Sequence, residues 1–157
     1  MDLILWRHAE ARDAAPGEDD AARPLTPRGE GQARHMAHWL NRFLPDSTRV
    51  LVSPTLRTRQ TAEPLGRKLR ITDALAPGAP PTQLLRAAHW PDSEDPVLLV
   101  GHQPTLGHLV ALLMGGELAA QGPTWTVRKG AVWWLRHRKR HGVEDVQLVS
   151  VHSPDRP

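Results

Sequence analysis

Cysteine is absent from the chain of 157 residues, which excludes disulfide bonds and thiolate-bound metal centres. No apolar run approaches the roughly 18 consecutive residues that a membrane-spanning helix needs, so we expect no membrane insertion. The first apolar run, Leu3–Trp6, meets Arg7 at once, and the pattern of a signal peptide is missing. These absences lead us to expect a cytoplasmic protein.

Lysine is also scarce, since only Lys68, Lys129 and Lys139 stand among the 20 lysine and arginine residues. The formal charge of +3 therefore rests mainly on guanidinium groups, which bind phosphate oxygens in pairs better than ammonium groups do. A basic composition alone is typical of a solvated surface, so only the positions of the arginines can indicate whether they bind phosphate. The length predicts a single domain over residues 1–157.

Short apolar segments alternate with amphipathic segments along the chain. We predict strands at residues 3–6, 50–52, 97–100, 131–136 and 143–151. We predict helices over 26–44, over 56–69 with a bend near Pro64, over 82–88, and over 106–114 before Gly115 and Gly116. This alternation predicts an α/β fold with a mostly parallel sheet.

Polar residues follow three of the predicted strands at the point where each strand ends. These are Arg7-His8, the segment Ser53–Arg57, and Gly101-His102. Ligands bind beyond the carboxyl ends of parallel strands, so we expect the three segments to converge on one crevice. A neutral imidazole can attack phosphorus and form a covalent phosphohistidine, and arginines can hold the phosphate oxygens. The combination therefore favours phosphoryl transfer, which depends mostly on positioning and electrostatics.

The same segments resemble motifs of the histidine phosphatase superfamily, which includes the phosphoglycerate mutases, in both order and spacing. The matching segments are Leu3–Glu10, Arg23–Thr26, Val50–Thr61 and Gly101–Pro104. The short length and the Arg-Pro-Leu-Thr element are most similar to the SixA group of phosphohistidine phosphatases. The resemblance covers residues 2–151. It implies a phosphoglycerate-mutase-like three-layer sandwich, with a mostly parallel central sheet flanked by helices and without a cap domain.

The resemblance also implies a role for each matching residue. His8 would be the nucleophile, and Arg7 and Arg57 would bind the phosphoryl oxygens. His102 would donate a hydrogen bond to a phosphoryl oxygen and stabilise the transition state. Arg23 is a further candidate for the phosphate pocket. We therefore expect a phosphatase that forms a covalent phosphohistidine intermediate without a cofactor.

Two features depart from the family pattern. Ala9 stands where the first motif usually has glycine, which would cost energy if the position needed a positive φ. The carboxylate that larger relatives use as a general acid also has no clear counterpart, and Glu10 and Asp73 are the nearest candidates. An alkyl phosphate expels an alkoxide whose conjugate acid has a pKa of ~15.7, whereas phosphohistidine can expel neutral imidazole, pKa ~6.5. The missing acid therefore favours phosphohistidine on a protein as the substrate.

Other functions stay open from the sequence alone. A small-molecule phosphomonoesterase of the same superfamily would use the same nucleophile, and a non-catalytic phosphate-binding module would keep only the phosphate contacts. The partner would be a phosphorylated protein, such as a histidine phosphotransfer domain, or a small phosphate ester. We expect no nucleic acid partner, because the basic run 136–141 lies between two predicted strands without interleaved aromatics. We interpret that run as a solvated hairpin tip, or as a contact surface for an acidic protein.

Metal binding is not expected either. His35 and His38 stand three apart on a predicted helix, but no further ligand is placed to complete a site with them.

Overall fold

A six-stranded mixed sheet forms the centre of the computed structural model, which describes residues 1–155. The strands are β1 (Asp2–Arg7), β2 (Arg49–Val52), β3 (Leu69–Ile71), β4 (Val97–Gly101), β5 (Val132–Arg140) and β6 (Val143–His152). Their order across the sheet is β3-β2-β4-β1-β5-β6. Strands β3, β2, β4 and β1 pair in parallel, whereas β5 is antiparallel to both β1 and β6.

The helices cover both faces of this sheet. They are α1 (Pro27–Phe43), α2 (Leu56–Ala62), α3 (Pro81–Ala88) and α4 (Thr105–Ala120). Side chains of β1 alternate between the faces, as strand geometry requires. Leu3 and Leu5 pack in the core cluster that includes residues of α3 and α4, and Ile4 and Trp6 pack in the cluster that includes residues of α1 and α2. The predicted sandwich with a mostly parallel sheet is confirmed.

The N-terminus of α1 forms as its sequence predicts. Thr26 is the N-cap, and its Oγ1 accepts a hydrogen bond from the backbone NH of Gly29 at 3.0 Å. Gly29 permits a close approach between the helix and the loop after β1, because a Cβ there would lie 2.0 Å from the carbonyl oxygen of Glu10. The helix therefore fixes the backbone that follows His8.

Three of the predicted boundaries are wrong. The helix predicted over 106–114 continues past Gly115 to Ala120, although Gly116, whose φ is 79°, interrupts its regular geometry. The helix predicted over 56–69 ends at Ala62, and the chain continues as a short 3-10 turn to Gly66, whose φ is 64°. Pro64 cannot donate a helical hydrogen bond, which shortens the helix and leaves room for the edge strand β3, which we did not predict. The basic run 136–141 is also mostly strand, because β5 continues to Arg140 and the turn itself is His141-Gly142.

Within residues 1–155, no helix combines the length and the apolar character needed to cross a membrane.

Candidate active site

Two histidines and two arginines meet at the carboxyl edge of the parallel strands. Arg7 ends β1 and His8 follows it, His102 follows β4, and Arg57 lies in the first turn of α2, after β2. The ring centroids of His8 and His102 are 5.4 Å apart. The pocket has a volume of about 310 Å³ and is lined by Arg7, His8, Ala11, Asp13, Arg23, Arg57, Pro77, His102, Gln103 and Lys129. The structure thus brings together the four residues on which the sequence argument depends.

His8 is held from both sides by backbone hydrogen bonds. Its NH donates to the carbonyl oxygen of Gly101 at 3.1 Å, and its own carbonyl accepts from the NH of Gly130 at 3.0 Å. Its ring Nδ1 lies 2.8 Å from the carbonyl oxygen of Ala9. A carbonyl oxygen only accepts, so Nδ1 carries the proton and Nε2 keeps its lone pair.

Burial keeps the His8 ring neutral. The residue is only 7% exposed. Loss of hydration lowers the pKa of His8 to about 4, and the positive charges of Arg57 and Arg7 act in the same direction. The hydrogen bond to Ala9 opposes the shift without reversing it. At neutral pH, Nε2 is therefore an unprotonated nitrogen able to act as a nucleophile.

In His102 the protein engages the opposite ring nitrogen to the one it engages in His8. Its Nε2 lies 2.7 Å from the hydroxyl oxygen of the fully buried Ser53, while its Nδ1 has no hydrogen-bond partner among the described residues. Burial is the main cause that lowers the pKa of His102 to about 3, and the charges of His8 and Arg57 lower it further. If Ser53 donates its hydroxyl hydrogen to Nε2, the ring proton resides on Nδ1. That NH is then free to donate to a bound oxyanion.

Each arginine is fixed by protein acceptors and has more N–H donors than these contacts use. Arg7 donates from one terminal nitrogen to the carbonyl oxygen of Val127 at 2.9 Å. Arg57, only 4% exposed, donates from its two terminal nitrogens to the carbonyl oxygen of Asp20 at 2.9 Å and to its carboxylate at 3.0 Å. In both guanidinium groups the buried Nε has no partner in the part of the chain that the structure describes. An oxyanion could take up these donors in charge-assisted hydrogen bonds.

Asp20 links Arg57 to Arg23. The second oxygen of its carboxylate accepts from Nε of Arg23 at 2.9 Å, and Arg23 also donates to the carbonyl oxygen of Arg12 at 2.8 Å. The side chain of Asp20 is 58% exposed. Its pKa is nevertheless lowered, and the hydrogen bond from Arg23 is the largest cause. This linkage places Arg23 at the pocket. We did not predict a role for Asp20, because only the folded loop brings it to a residue 37 positions away.

Glu10, the candidate proton donor, is not among the described residues that line the pocket. One of its carboxylate oxygens accepts from the hydroxyl of Thr26 at 2.8 Å, and the other lies 3.5 Å from Arg28. Asp73 starts a 3-10 turn and is not among the pocket residues. Asp13, which we did not single out, is the only carboxylate among the described residues that line the pocket.

Ala9 fits its position without strain. Its φ is not positive, so the glycine of the family motif is not required here. The residue is fully buried, and its NH donates to the hydroxyl of Thr61 at 3.0 Å. The loop geometry after His8 is therefore compatible with alanine.

Lys129 is a further cation of the pocket that sequence reasoning missed. It belongs to the segment before β5, which hydrogen bonds tie to the end of β1: the NH of Arg7 donates to Ala131, and the indole of Trp6 donates to the carbonyl oxygen of Gly130 at 3.1 Å. The antiparallel pairing of β5 with β1 brings this segment to His8. Only that pairing, which the sequence pattern did not predict, connects Lys129 with the phosphate pocket.

The histidines of α1 lie elsewhere on the molecule. His35 stacks on His152, with ring centroids 6.0 Å apart, and His152 stacks on Trp39 at 4.5 Å. Among residues 1–155, no group of three or more histidine, aspartate or glutamate side chains is arranged to hold a metal ion.

Comparisons with known proteins find histidine phosphatases in both sequence and structure. A family model for the histidine phosphatase superfamily (branch 1) matches residues 3–78. The phosphohistidine phosphatase SixA of Escherichia coli is 36% identical over 125 residues, which cover 74% of this chain and 76% of that protein. The structure of the protein histidine phosphatase SixA complexed with tungstate superposes with a TM-score of 0.70 at 30% identity, covering 98% and 97% of the two chains. A crystal structure from Agrobacterium tumefaciens gives a TM-score of 0.79 at 27% identity and covers 98% of both chains.

Proposed function

This chain belongs to the histidine phosphatase superfamily, and from that premise we propose that it removes phosphate from phosphohistidine on a protein, through a covalent intermediate on His8. The observation that carries this proposal is the state of His8, whose Nδ1 is tied to Ala9 and whose Nε2 is left as a buried, neutral nucleophile. The E. coli relative is a phosphohistidine phosphatase, which supports the same reaction class.

In the first step, Nε2 of His8 attacks phosphorus and the phosphorus–nitrogen bond of the substrate breaks. The electron pair of that bond returns to the substrate nitrogen. If the other nitrogen of the substrate ring carries a proton, the leaving group is neutral imidazole, and no further proton is needed. The phosphorylated His8 keeps its proton on Nδ1, which donates a hydrogen bond to the carbonyl oxygen of Ala9.

In the second step, water attacks the phosphorus atom of phosphorylated His8. The bond to Nε2 breaks, His8 returns to its neutral state, and inorganic phosphate leaves. Splitting the hydrolysis in this way replaces one difficult displacement by two easier ones.

Arg7, Arg57 and His102 would act on the phosphoryl group in both steps. The free Nε donors of the two arginines would hold its equatorial oxygens, and Nδ1 of His102 would donate to one of them. These donors are fixed before the substrate arrives, so little reorganisation accompanies the transition state. Arg23 and Lys129 add positive charge at the same pocket.

The set of pocket residues favours phosphohistidine over an alkyl phosphate. An alkoxide leaving group needs a proton donor far more than imidazole does, because their conjugate acids differ by roughly nine pKa units. Glu10 is engaged by Thr26 and Arg28, away from the pocket. Cleavage of a phosphorus–nitrogen bond suits this pocket because it needs no proton from Asp13, the one carboxylate among the described lining residues.

A small-molecule phosphomonoesterase is the second candidate, and Asp13 is the observation that favours it. Its carboxylate belongs to a pocket residue and could supply the proton that an alkoxide requires. A non-catalytic phosphate-binding module is a weaker alternative, because phosphate binding alone does not require a buried neutral nucleophile.

The decisive experiment measures kcat/KM for a phosphohistidine protein, an aryl phosphate and an alkyl phosphate, with wild-type protein and Asp13→Asn. We expect the phosphohistidine protein to be the best substrate and Asp13→Asn to leave its turnover unchanged. A preference for the alkyl phosphate that disappears in Asp13→Asn would establish the phosphomonoesterase instead. Absence of turnover with all three substrates, together with phosphate binding, would support the binding module.

The partner and the location belong to the same proposal. A histidine phosphotransfer domain is the partner class that suits a phosphohistidine phosphatase, and such a partner implies a cytoplasmic location.

A further inference from the structure

Trp125 is a large apolar side chain that the fold holds in a partly exposed position next to the phosphate pocket. The residue is 41% exposed, and its ring lies edge-on to Trp133, with the centroids 6.3 Å apart. We propose that Trp125 anchors the phosphorylated protein substrate, by packing against an apolar contact within the acidic surface that surrounds its phosphohistidine. This inference rests on the proposed function and adds the docking surface to it.

The backbone of Trp125 is tied directly to a pocket residue. Nε2 of Gln103 donates to the carbonyl oxygen of Trp125 at 2.7 Å, while Oε1 of Gln103 accepts from the NH of Gly107 at 3.0 Å. Gly107 is required for this contact, because a Cβ there would lie 1.7 Å from the same carbonyl oxygen. The segment that carries Trp125 is therefore closely packed on the start of α4, beside His102.

Two further contacts hold the flanking residues. The hydroxyl of Thr124 lies 2.6 Å from Nε2 of His108, and the carbonyl oxygen of Val127 accepts from Arg7. Three anchors within four residues fix the backbone that carries the indole relative to the phosphate pocket. A rigid aromatic side chain loses little conformational freedom on binding, which is a property of the residues that dominate protein interfaces.

The position of Trp125 indicates a macromolecular partner. It is not one of the described residues that line the phosphate pocket, so a small phosphate ester bound there would not contact it. A protein that presents a phosphohistidine to His8 would cover the surface around the pocket as well. Trp125 is placed to be part of that covered surface.

The charge around the pocket indicates that the partner surface is acidic. Arg23 and Lys129 line the pocket, and the exposed Arg128 is close in sequence to both Trp125 and Lys129. An aromatic anchor beside cationic residues is complementary to an apolar contact ringed by carboxylates. The phosphoryl group itself adds negative charge at the centre of such a surface.

The test compares two substrates that share the same phosphorus–nitrogen bond: a histidine-phosphorylated phosphotransfer domain and free phosphohistidine. We expect Trp125→Ala to lower kcat/KM for the protein substrate about tenfold, the scale typical of an interface hot spot, and to leave kcat/KM for free phosphohistidine unchanged. The control is Leu118→Ser, which alters a side chain that is 85% exposed and has no such link to the pocket. We expect that variant to match the wild type on both substrates.

The possible outcomes test the docking role of Trp125 and the proposed function separately. Equal activity of Trp125→Ala and wild type on the protein substrate would overturn the inference and leave the function intact. An equal loss on both substrates would also overturn it, because Trp125 would then support the pocket itself. Failure of the wild type to hydrolyse either substrate would refute the proposed function. Added salt should lower kcat/KM for the protein substrate more than for free phosphohistidine, and an equal effect would contradict an acidic partner.

Discussion

Lowering the pH from 7 to 5 tests whether burial keeps His8 neutral in the folded protein. With a pKa of about 4, roughly 90% of the His8 rings stay unprotonated at pH 5. An ordinary histidine with a pKa of ~6.5 would be only ~3% unprotonated at that pH. A ring this well shielded from water should therefore keep its nucleophile where an exposed ring would lose it.

The same shift has a consequence for stability. The unfolded chain binds a proton on His8 below about pH 6.5, but the folded chain does not bind it until the pH approaches 4. Stability therefore falls as the pH drops through this window, because the unfolded state binds more protons. For a folded pKa of about 4, the loss between pH 7 and pH 5 that His8 contributes is about 2 kcal/mol.

Two measurements address this prediction. NMR titration of the imidazole resonances of the free protein should show His8 titrating near pH 4. Urea unfolding at pH 7 and pH 5 should show that His8→Gln loses about 2 kcal/mol less stability than the wild type over this interval. The control variant Leu118→Ser should keep the wild-type pH dependence.

A titration of His8 near pH 6.5 would refute the reasoning. It would mean that water reaches the ring in solution, and that burial does not set the protonation state of the nucleophile. Equal losses of stability in the wild type and His8→Gln would contradict the same claim by an independent route.

The remaining predictions concern the chemistry of the site and its surroundings. Rapid quenching during turnover should trap an acid-labile, base-stable phosphoryl adduct, which His8→Ala should abolish together with nearly all activity. His102→Ala should still bind phosphate, more weakly, but turn over about 10²–10³-fold more slowly, as measured by single-turnover kinetics, because it loses a donor aimed at the transition state. Asp20→Ala should lower the kcat for free phosphohistidine about tenfold, because the guanidinium of Arg57 loses the carboxylate that holds it. The control Asp19→Asn removes the same charge and keeps the N-cap of the 3-10 turn, so we expect it to leave this kcat unchanged. Serine substitutions over 138–140 should leave aryl phosphate turnover unchanged, and a large fall would place that strand segment in the active site.

The convergence of His8 and His102 could be predicted because it follows from local patterns. The runs before them are apolar and short, so they form strands buried on both faces, and such strands pair in parallel. Leu5 pairs with Leu99 in the observed register, which places the residues that follow β1 and β4 side by side. Backbone topology alone then brings the two rings together.

The contacts of Asp20 and Lys129 could not be predicted in the same way. Asp20 lies in a loop without hydrophobic periodicity, and its distance to Arg57 depends on how that loop folds over the pocket. Lys129 reaches the pocket only because β5 pairs with β1 from the far end of the chain. Both contacts depend on long-range packing, which no window of neighbouring residues encodes.

Burial is the main reason why the pKa values of His8 and His102 are low, which indicates what the fold contributes to the reactivity of the site. For both His8 and His102, burial lowers the pKa first, and the charges of the arginines act after it. Substituting one arginine should therefore affect phosphate binding more than the protonation state of the nucleophile. The segment whose Gly130 donates to the carbonyl oxygen of His8 packs directly on the nucleophile, so we expect it to help keep water from the ring. A change that displaces this segment would lose the neutral nucleophile at mildly acidic pH, even with every residue that touches the phosphoryl group still in place.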